Sequence, residues 1–127
     1  MKLYIAGPIS NTTDWRERFA AAEEALRAAG YDVVSPVANA CATCGGDGTV
    51  LVARFAYDMH ITCPDCPPWA EYLRLGLLAM LQCRGVALLP GWRESTGAQI
   101  EADVAIKCAL DCAPVDAWVA KAKVAAD

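Results

Sequence analysis

No stretch of this 127-residue chain approaches the roughly 18 continuous apolar residues that a membrane span needs, although 56% of it is hydrophobic. The apolar residues come in short runs broken by glycine, proline and charge, which excludes a transmembrane helix and fits a single packed domain. The opening "MKLYIAGPIS" has one lysine and too few apolar residues before Gly7 and Pro8 for the core of a signal peptide. A cytoplasmic location is therefore expected. Two nucleotide fingerprints are also missing: there is no G-x-G-x-x-G and no G-x-x-x-x-G-K-[ST], which removes dinucleotide binding through that motif and a P-loop. Positive charge is scarce as well. With a formal net charge of −4, more negative still once cysteines bind a dication as thiolates, the chain is not built to hold a nucleic-acid polymer. Local cations near the segments of interest are Arg16, Arg74 and Arg93, which suit solvated surface positions equally well. Internal repeats and low-complexity linkers are absent too.

What remains is an alternation of strand and helix signals. "KLYIA" (Lys2 to Ala6) is a short apolar run ended by Gly7 and Pro8, the pattern of a buried first strand. The next segment offers Asp14 as helix N-cap with Glu17 three residues on, apolar Trp15, Phe19, Ala22 and Leu26 at helical spacing, and Gly30 as the stop. "YDVVSP" reads as strand two. After a cysteine-rich segment, Pro67 and Pro68 open a helix with Trp69, Leu73, Leu77, Met80 and Leu81 predicted on its apolar face. "GVALLPG" is a third strand. Thr96 with Gln99 forms a predicted capping box for a helix to about Leu110, "APVDAW" a last short strand, and the Ala/Lys-rich tail a last helix. This order predicts an α/β fold: a Rossmann-like, doubly wound, mainly parallel sheet of about four to five strands with an insertion. Ligands in such folds bind outside the carboxyl ends of the strands, here at "GPIS", the Pro36 loop and "PGWRESTG".

In the last of these loops, Ser95, Thr96 and Gly97 open a helix and Glu101 follows about one turn inside it. Backbone donors there suit an anion, and the helix dipole is expected to keep Glu101 ionised as a nucleophile requires. The same spacing suits a solvated glutamate, and the pattern alone leaves both readings open. The insertion, residues 38–67 approximately, contains Cys41, Cys44, Cys63 and Cys66 as C-x2-C-x18-C-x2-C, the spacing of a zinc ribbon, with Gly45 and Gly46 allowing a tight knuckle. Four thiolates close a tetrahedral site and leave no open position for water, so the expected Zn2+ is structural; no organic cofactor is expected. A redox pair is the other reading of C-x2-C, but it occurs once at a helix start and not twice across a loop. Cys83, Cys108 and Cys112 read as small hydrophobes or unpaired thiols.

Together, "KLYIAGPIS", "GYDVVSP" and "YLRLGLLAMLQCRGVALLPGWRESTGAQIEADVA" resemble the nucleoside 2-deoxyribosyltransferase superfamily, in its small, mostly uncharacterised branch. The resemblance spans nearly the whole chain apart from the insertion and tail, making residues 1–127 one such domain. It implies an N-glycosidase or deoxyribosyltransferase acting on a deoxynucleoside or its 5'-monophosphate, with Glu101 attacking the anomeric carbon; the alternative is a non-catalytic nucleotide- or protein-binding domain of the same fold. It further implies a substrate site made by Tyr4, Gly7, Pro8, Ile9, Ser95 and Gly97, and a homo-oligomer, for which Trp69, Tyr72 and Trp92 are candidate anchors. One departure stands out. Gly76 occupies the position where such enzymes usually carry an aspartate, and Arg84 the place of a second acid, so Asp58, His60 or Asp65 of the insertion would have to substitute.

Overall fold

The computed structural model describes residues 1–9, 14–45, 49–54 and 57–126. β1 (Lys2–Ala6) is buried at every residue after Lys2, as a strand paired on both sides and covered on both faces must be. Its neighbours are β2 (Asp32–Val34) and β5 (Gly85–Leu88), and β6 (Asp111–Pro114) completes a four-stranded sheet in the order β2-β1-β5-β6. Every pairing in it is parallel. The two-residue period of β1 sorts its side chains between two cores. Leu3 and Ile5 pack with Trp15, Phe19 and Leu26 of α1 (Trp15–Ala28) and with Trp118 of α4 (Val115–Ala126). Tyr4 and Ala6 face the other way, onto Met80 of α2 (Trp69–Leu81) and Ala98, Ala102 and Ala105 of α3 (Thr96–Lys107). Helices on both faces of a parallel sheet make the predicted doubly wound α/β fold. Among the described residues no helix is long and apolar enough to cross a membrane.

The insertion forms a 3-10 turn (Pro36–Asn39) and an antiparallel hairpin, β3 (Thr49–Arg54) with β4 (Tyr57–Thr62), which is a separate two-stranded sheet. Its register sets Leu51 opposite His60 and Ala53 opposite Asp58.

Four local expectations need correction. Asp14 sits at the N-cap of α1 without a side-chain cap bond, so its backbone carbonyl, accepting from the Arg18 amide at 3.0 Å, does the closing. The cap of α3 is Ser95 and not Thr96: the Ser95 hydroxyl accepts from the Ala98 amide at 3.3 Å, while the Gln99 side chain donates to the Arg93 carbonyl. That helix also ends earlier than Leu110, because Ala109 adopts φ 61° and the Leu110 amide returns to the Ala105 carbonyl. On α2 the predicted stripe is only partly inward: Met80 is buried and Leu73 and Leu77 are half-buried, whereas Trp69 and Leu81 are 52% and 47% exposed. The face that meets the sheet is centred on Gly76 and Met80.

The last strand begins before "APVDAW", and from Val115 onward the chain is helical. Trp118 is thereby turned into the core at 2% exposure, donating its indole N–H to the Val86 carbonyl at 3.0 Å, while Tyr31 donates to the Trp118 carbonyl at 2.8 Å. The two rings meet edge to face at 5.7 Å. Trp118→Ala is expected to destabilise the domain by about 3–5 kcal/mol, the range for emptying a buried aromatic site. A chemical-denaturation difference below about 1 kcal/mol would show that α4 does not hold the sheet.

Candidate functional site

The chain runs from β1 to β2 on one side and then crosses back to fill β5 and β6 on the other, so the order of strands reverses between β1 and β5. Loops leaving these two strands diverge and leave a crevice at their carboxyl ends. A cleft of about 960 Å³ lies there. Its lining includes Gly7, Pro8 and Ile9 after β1, Gly91 and Glu94 after β5, and Ser95, Thr96 and Gly97 at the start of α3. Tyr4 and Glu101 line it too, so all seven residues singled out as substrate-binding or catalytic are brought to one cavity. Gly7 is a close approach: a Cβ there would lie 2.7 Å from the Leu89 Cβ, so the two diverging loops touch because this residue has no side chain.

Glu101 is the one buried charged side chain among the described residues, 9% exposed. It hydrogen-bonds the Tyr4 phenol, which donates to the carboxylate. Burial raises the Glu101 carboxyl to about 7, and the Tyr4 hydroxyl pulls it back down. Burial also holds the Tyr4 phenol far above its ordinary range, with the Glu101 charge adding to it, so Tyr4 is a permanent donor. The expectation that the helix dipole keeps Glu101 ionised therefore fails. Glu101 is the sixth residue of α3, beyond the first turn in which unpaired amides act strongly, so desolvation wins.

Gly76 faces this pair from α2. A Cβ at this position would lie 2.9 Å from the Tyr4 Oη and 3.1 Å from a Glu101 Oε. The space an aspartate would occupy is filled by the Tyr4–Glu101 pair itself, and any side chain there must push the pair aside. Asp65 is exposed and accepts from the Thr43 hydroxyl at 2.7 Å, bracing the two cysteine knuckles, and Arg84 is exposed. Asp58 and His60 lie on β4, and their side chains fall outside the described residues. The carboxylate in the cleft besides Glu101 is Glu94, which sequence reasoning passed over.

Of the cations, Arg16 lies over Trp15 and Arg93 over Trp92, while Arg74 sits 3.8 Å from Glu71. None of the three lines the cleft; Arg18 does, with one guanidinium nitrogen on the Pro90 carbonyl. Arg18 lies three residues after Trp15, which also lines the cleft, so the two share one face of α1. Trp15, Trp69 and Tyr72 add aromatic wall.

Cys41, Cys44, Cys63 and Cys66 converge with all four Sγ atoms within 4.8 Å of one another, and no disulfide joins them. The pairs Cys41–Cys63 and Cys44–Cys66 stand at 3.9 and 3.3 Å. A metal ion about 2.3 Å from four tetrahedral sulfurs needs them about 3.8 Å apart, so the cluster fits a metal ion with little adjustment. Gly45, at φ 66°, turns the first knuckle and its amide donates to the Cys41 carbonyl; Gly46 lies outside the described residues. The Cys66 thiol is pushed up to about 12 by its hydrogen bond with Cys44 and by burial. Cys66 and Pro67 also line the cleft. Cys83 is buried and donates to the Ala79 carbonyl, Cys112 is half-buried and Cys108 exposed.

Burial of Glu101 carries a linkage consequence. Its folded value of about 7 lies above the ordinary 4.5, so the native state binds its proton more tightly than the unfolded chain. Native stability is then favoured below about 4.5 and lost as pH rises toward about 7. Glu101→Gln, neutral throughout, is expected to be more stable than the parent at pH 8 by up to roughly 3 kcal/mol and nearly equal at pH 5. Denaturation curves at both pH values check this; equal differences at both would place Glu101 outside a desolvated site.

Comparison with curated proteins and with solved structures gives no match. A family model described as a domain of unknown function, DUF4406, matches residues 1–113, which takes in the sheet, the cleft and the cysteine cluster. The chain belongs to the DUF4406 family.

Proposed function

We propose that this chain is an N-glycosidase or deoxyribosyltransferase acting on a nucleoside, a deoxynucleoside or the corresponding 5'-monophosphate. The observation that carries the reading is a buried carboxylate, Glu101, held by a permanent phenolic donor at the base of a cleft whose rim is a helix N-terminus. Glu101 in its ionised form attacks the anomeric carbon, the C–N bond breaks with its electron pair leaving on the base, and a glycosyl ester forms. Water or a second base then displaces the carboxylate and restores it. The Tyr4 hydroxyl fixes which carboxylate oxygen is free to attack and holds part of the population ionised near neutrality. Gly7, Pro8 and Ile9 line the sugar. The Ser95 hydroxyl and the Gly97 amide offer donors to the 5' end, and Trp15 and Trp69 present faces to the base.

The four-cysteine cluster holds a structural zinc in this reading, in keeping with the cytoplasm, where unpaired thiols persist. A homo-oligomer belongs to the same reading, and the exposed Leu75, Leu78 and Leu81 of α2 offer it an apolar surface. A non-catalytic binding domain is the second reading, favoured by one observation: Gly76 leaves α2 without the acid that would protonate a leaving base.

Incubation with a panel of nucleosides, deoxynucleosides and their 5'-monophosphates, read by chromatography for free base, separates the two. Base release is expected to rise with pH through about 7, because only the ionised carboxylate is a nucleophile, and Glu101→Gln is expected to lose several powers of ten in rate while still binding substrate. Tyr4→Phe should move the acid limb to higher pH, since the hydrogen bond that favours the carboxylate is gone. Base release unchanged in Glu101→Gln, or none from any member of the panel, sinks the enzyme reading. For the metal, elemental analysis is expected to find about one zinc per chain, lost in large part from Cys44→Ser.

A further inference from the structure

Tyr72 lies in the first turn of α2, six residues beyond Cys66, and lines the cleft together with Cys66 and Pro67. Its ring is half-buried, but its hydroxyl is sealed from solvent and makes no hydrogen bond among the described residues. A sealed hydroxyl without a partner is unusual, since nearly all such groups find one. The ionisable groups that bear on it are all sulfurs, Cys66 first, with Cys41 and Cys44 behind it. A neutral thiol is a poor acceptor and gives the hydroxyl little reason to turn toward it. A thiolate bound to a cation is a good one, and groups that donate to metal-bound ligands orient them and strengthen the site.

We infer that Tyr72 is the outer-shell donor of the four-cysteine metal site, giving its phenolic hydrogen to the Cys66 sulfur once a metal ion is bound, and that it thereby fastens the metal site to the wall of the cleft. The inference rests on the metal reading of the four cysteines and is independent of the glycosidase reading. Tyr72 is a positioning residue: it acts on the ion through Cys66, and on the cleft through the orientation of its own ring. Metal binding then has two effects from one bond. It satisfies a buried hydroxyl, and it fixes the aromatic side chain at the entrance to α2, beside Trp69 and Leu73 in the same wall.

Cobalt(II) is the probe, because its sulfur-to-metal charge-transfer bands report the energy of the thiolate lone pairs. A hydrogen bond lowers those lone pairs in energy, so Tyr72→Phe in the full chain should move the charge-transfer bands to longer wavelength and weaken Co2+ retention against a chelator by about tenfold. Phenylalanine keeps the ring and its packing, and a far-UV spectrum equal to the parent's establishes that the fold is retained. Tyr31→Phe, which removes a phenolic hydrogen bond on the opposite face of the sheet, should leave both readouts where they are. Unchanged bands and unchanged retention in Tyr72→Phe would overturn the inference and leave Tyr72 as wall alone. Should the parent chain take up no Co2+, the metal reading falls and this inference with it, whatever the base-release assay gives. Should Tyr72→Phe fail to fold, Co2+ titration of the parent in ordinary and deuterated water, followed by the tyrosine ring absorption, replaces it: a perturbed tyrosine band on metal binding supports the bond, and an unperturbed one overturns it.

Discussion

The parallel pairing of β1 with β5 is the constraint from which the site follows. Because β1 is the strand at which the chain reverses its direction across the sheet, the segments leaving β1 and β5 must part to opposite faces, and the gap between them cannot be filled by either. Alternation along β1 then decides what borders the gap. Leu3 and Ile5 are committed to the α1–α4 core, so Tyr4 is sent to the α2–α3 side, where its hydroxyl reaches the carboxylate of Glu101. A shift of one residue in that register would send Tyr4 into the opposite core and leave Glu101 buried without its donor.

Around this pair the helices are fitted closely enough that chemistry and packing cannot be separated. Gly76 is the point of contact: α2 approaches until only a hydrogen separates its backbone from the phenol and the carboxylate. The closeness excludes water from Glu101 and is the physical source of its raised affinity for a proton. An aspartate in place of Gly76 would reach into the same volume, so an acid there requires the Tyr4 phenol and the Glu101 carboxylate to shift. The other carboxylate that lines the cleft is Glu94, on its rim.

The cysteine cluster belongs to the same construction. Cys63 and Cys66 stand immediately before the prolines that start α2, so the position of that helix, and with it Tyr72 and Trp69, is tied to four sulfurs contributed from both ends of the insertion. Thr43 and Asp65 bridge the two knuckles and limit how far they can separate. The hairpin of β3 and β4 closes the long connection between them, which loop entropy would otherwise oppose.

Sequence by itself determined the first helix, the first strands of the main sheet and the four cysteines that meet, but not the β3–β4 hairpin. The apolar period of α1, the short buried runs of β1 and β5 and the C-x2-C spacing are local patterns, and Trp15, Phe19, Ala22 and Leu26 are buried as their spacing requires. Where local rules compete, the sequence was ambiguous: adjacent Ser95 and Thr96 can both cap, and only the chain path chose Ser95. Five apolar residues on α2 suggested one stripe, but the sheet admits the helix at Gly76, leaving Trp69 and Leu81 outside. The protonation of Glu101 and the volume denied to an aspartate at Gly76 were decided by tertiary structure alone. Each depends on segments far apart in the chain arriving at one place, and desolvation is a property of that place and not of any residue's neighbours in sequence.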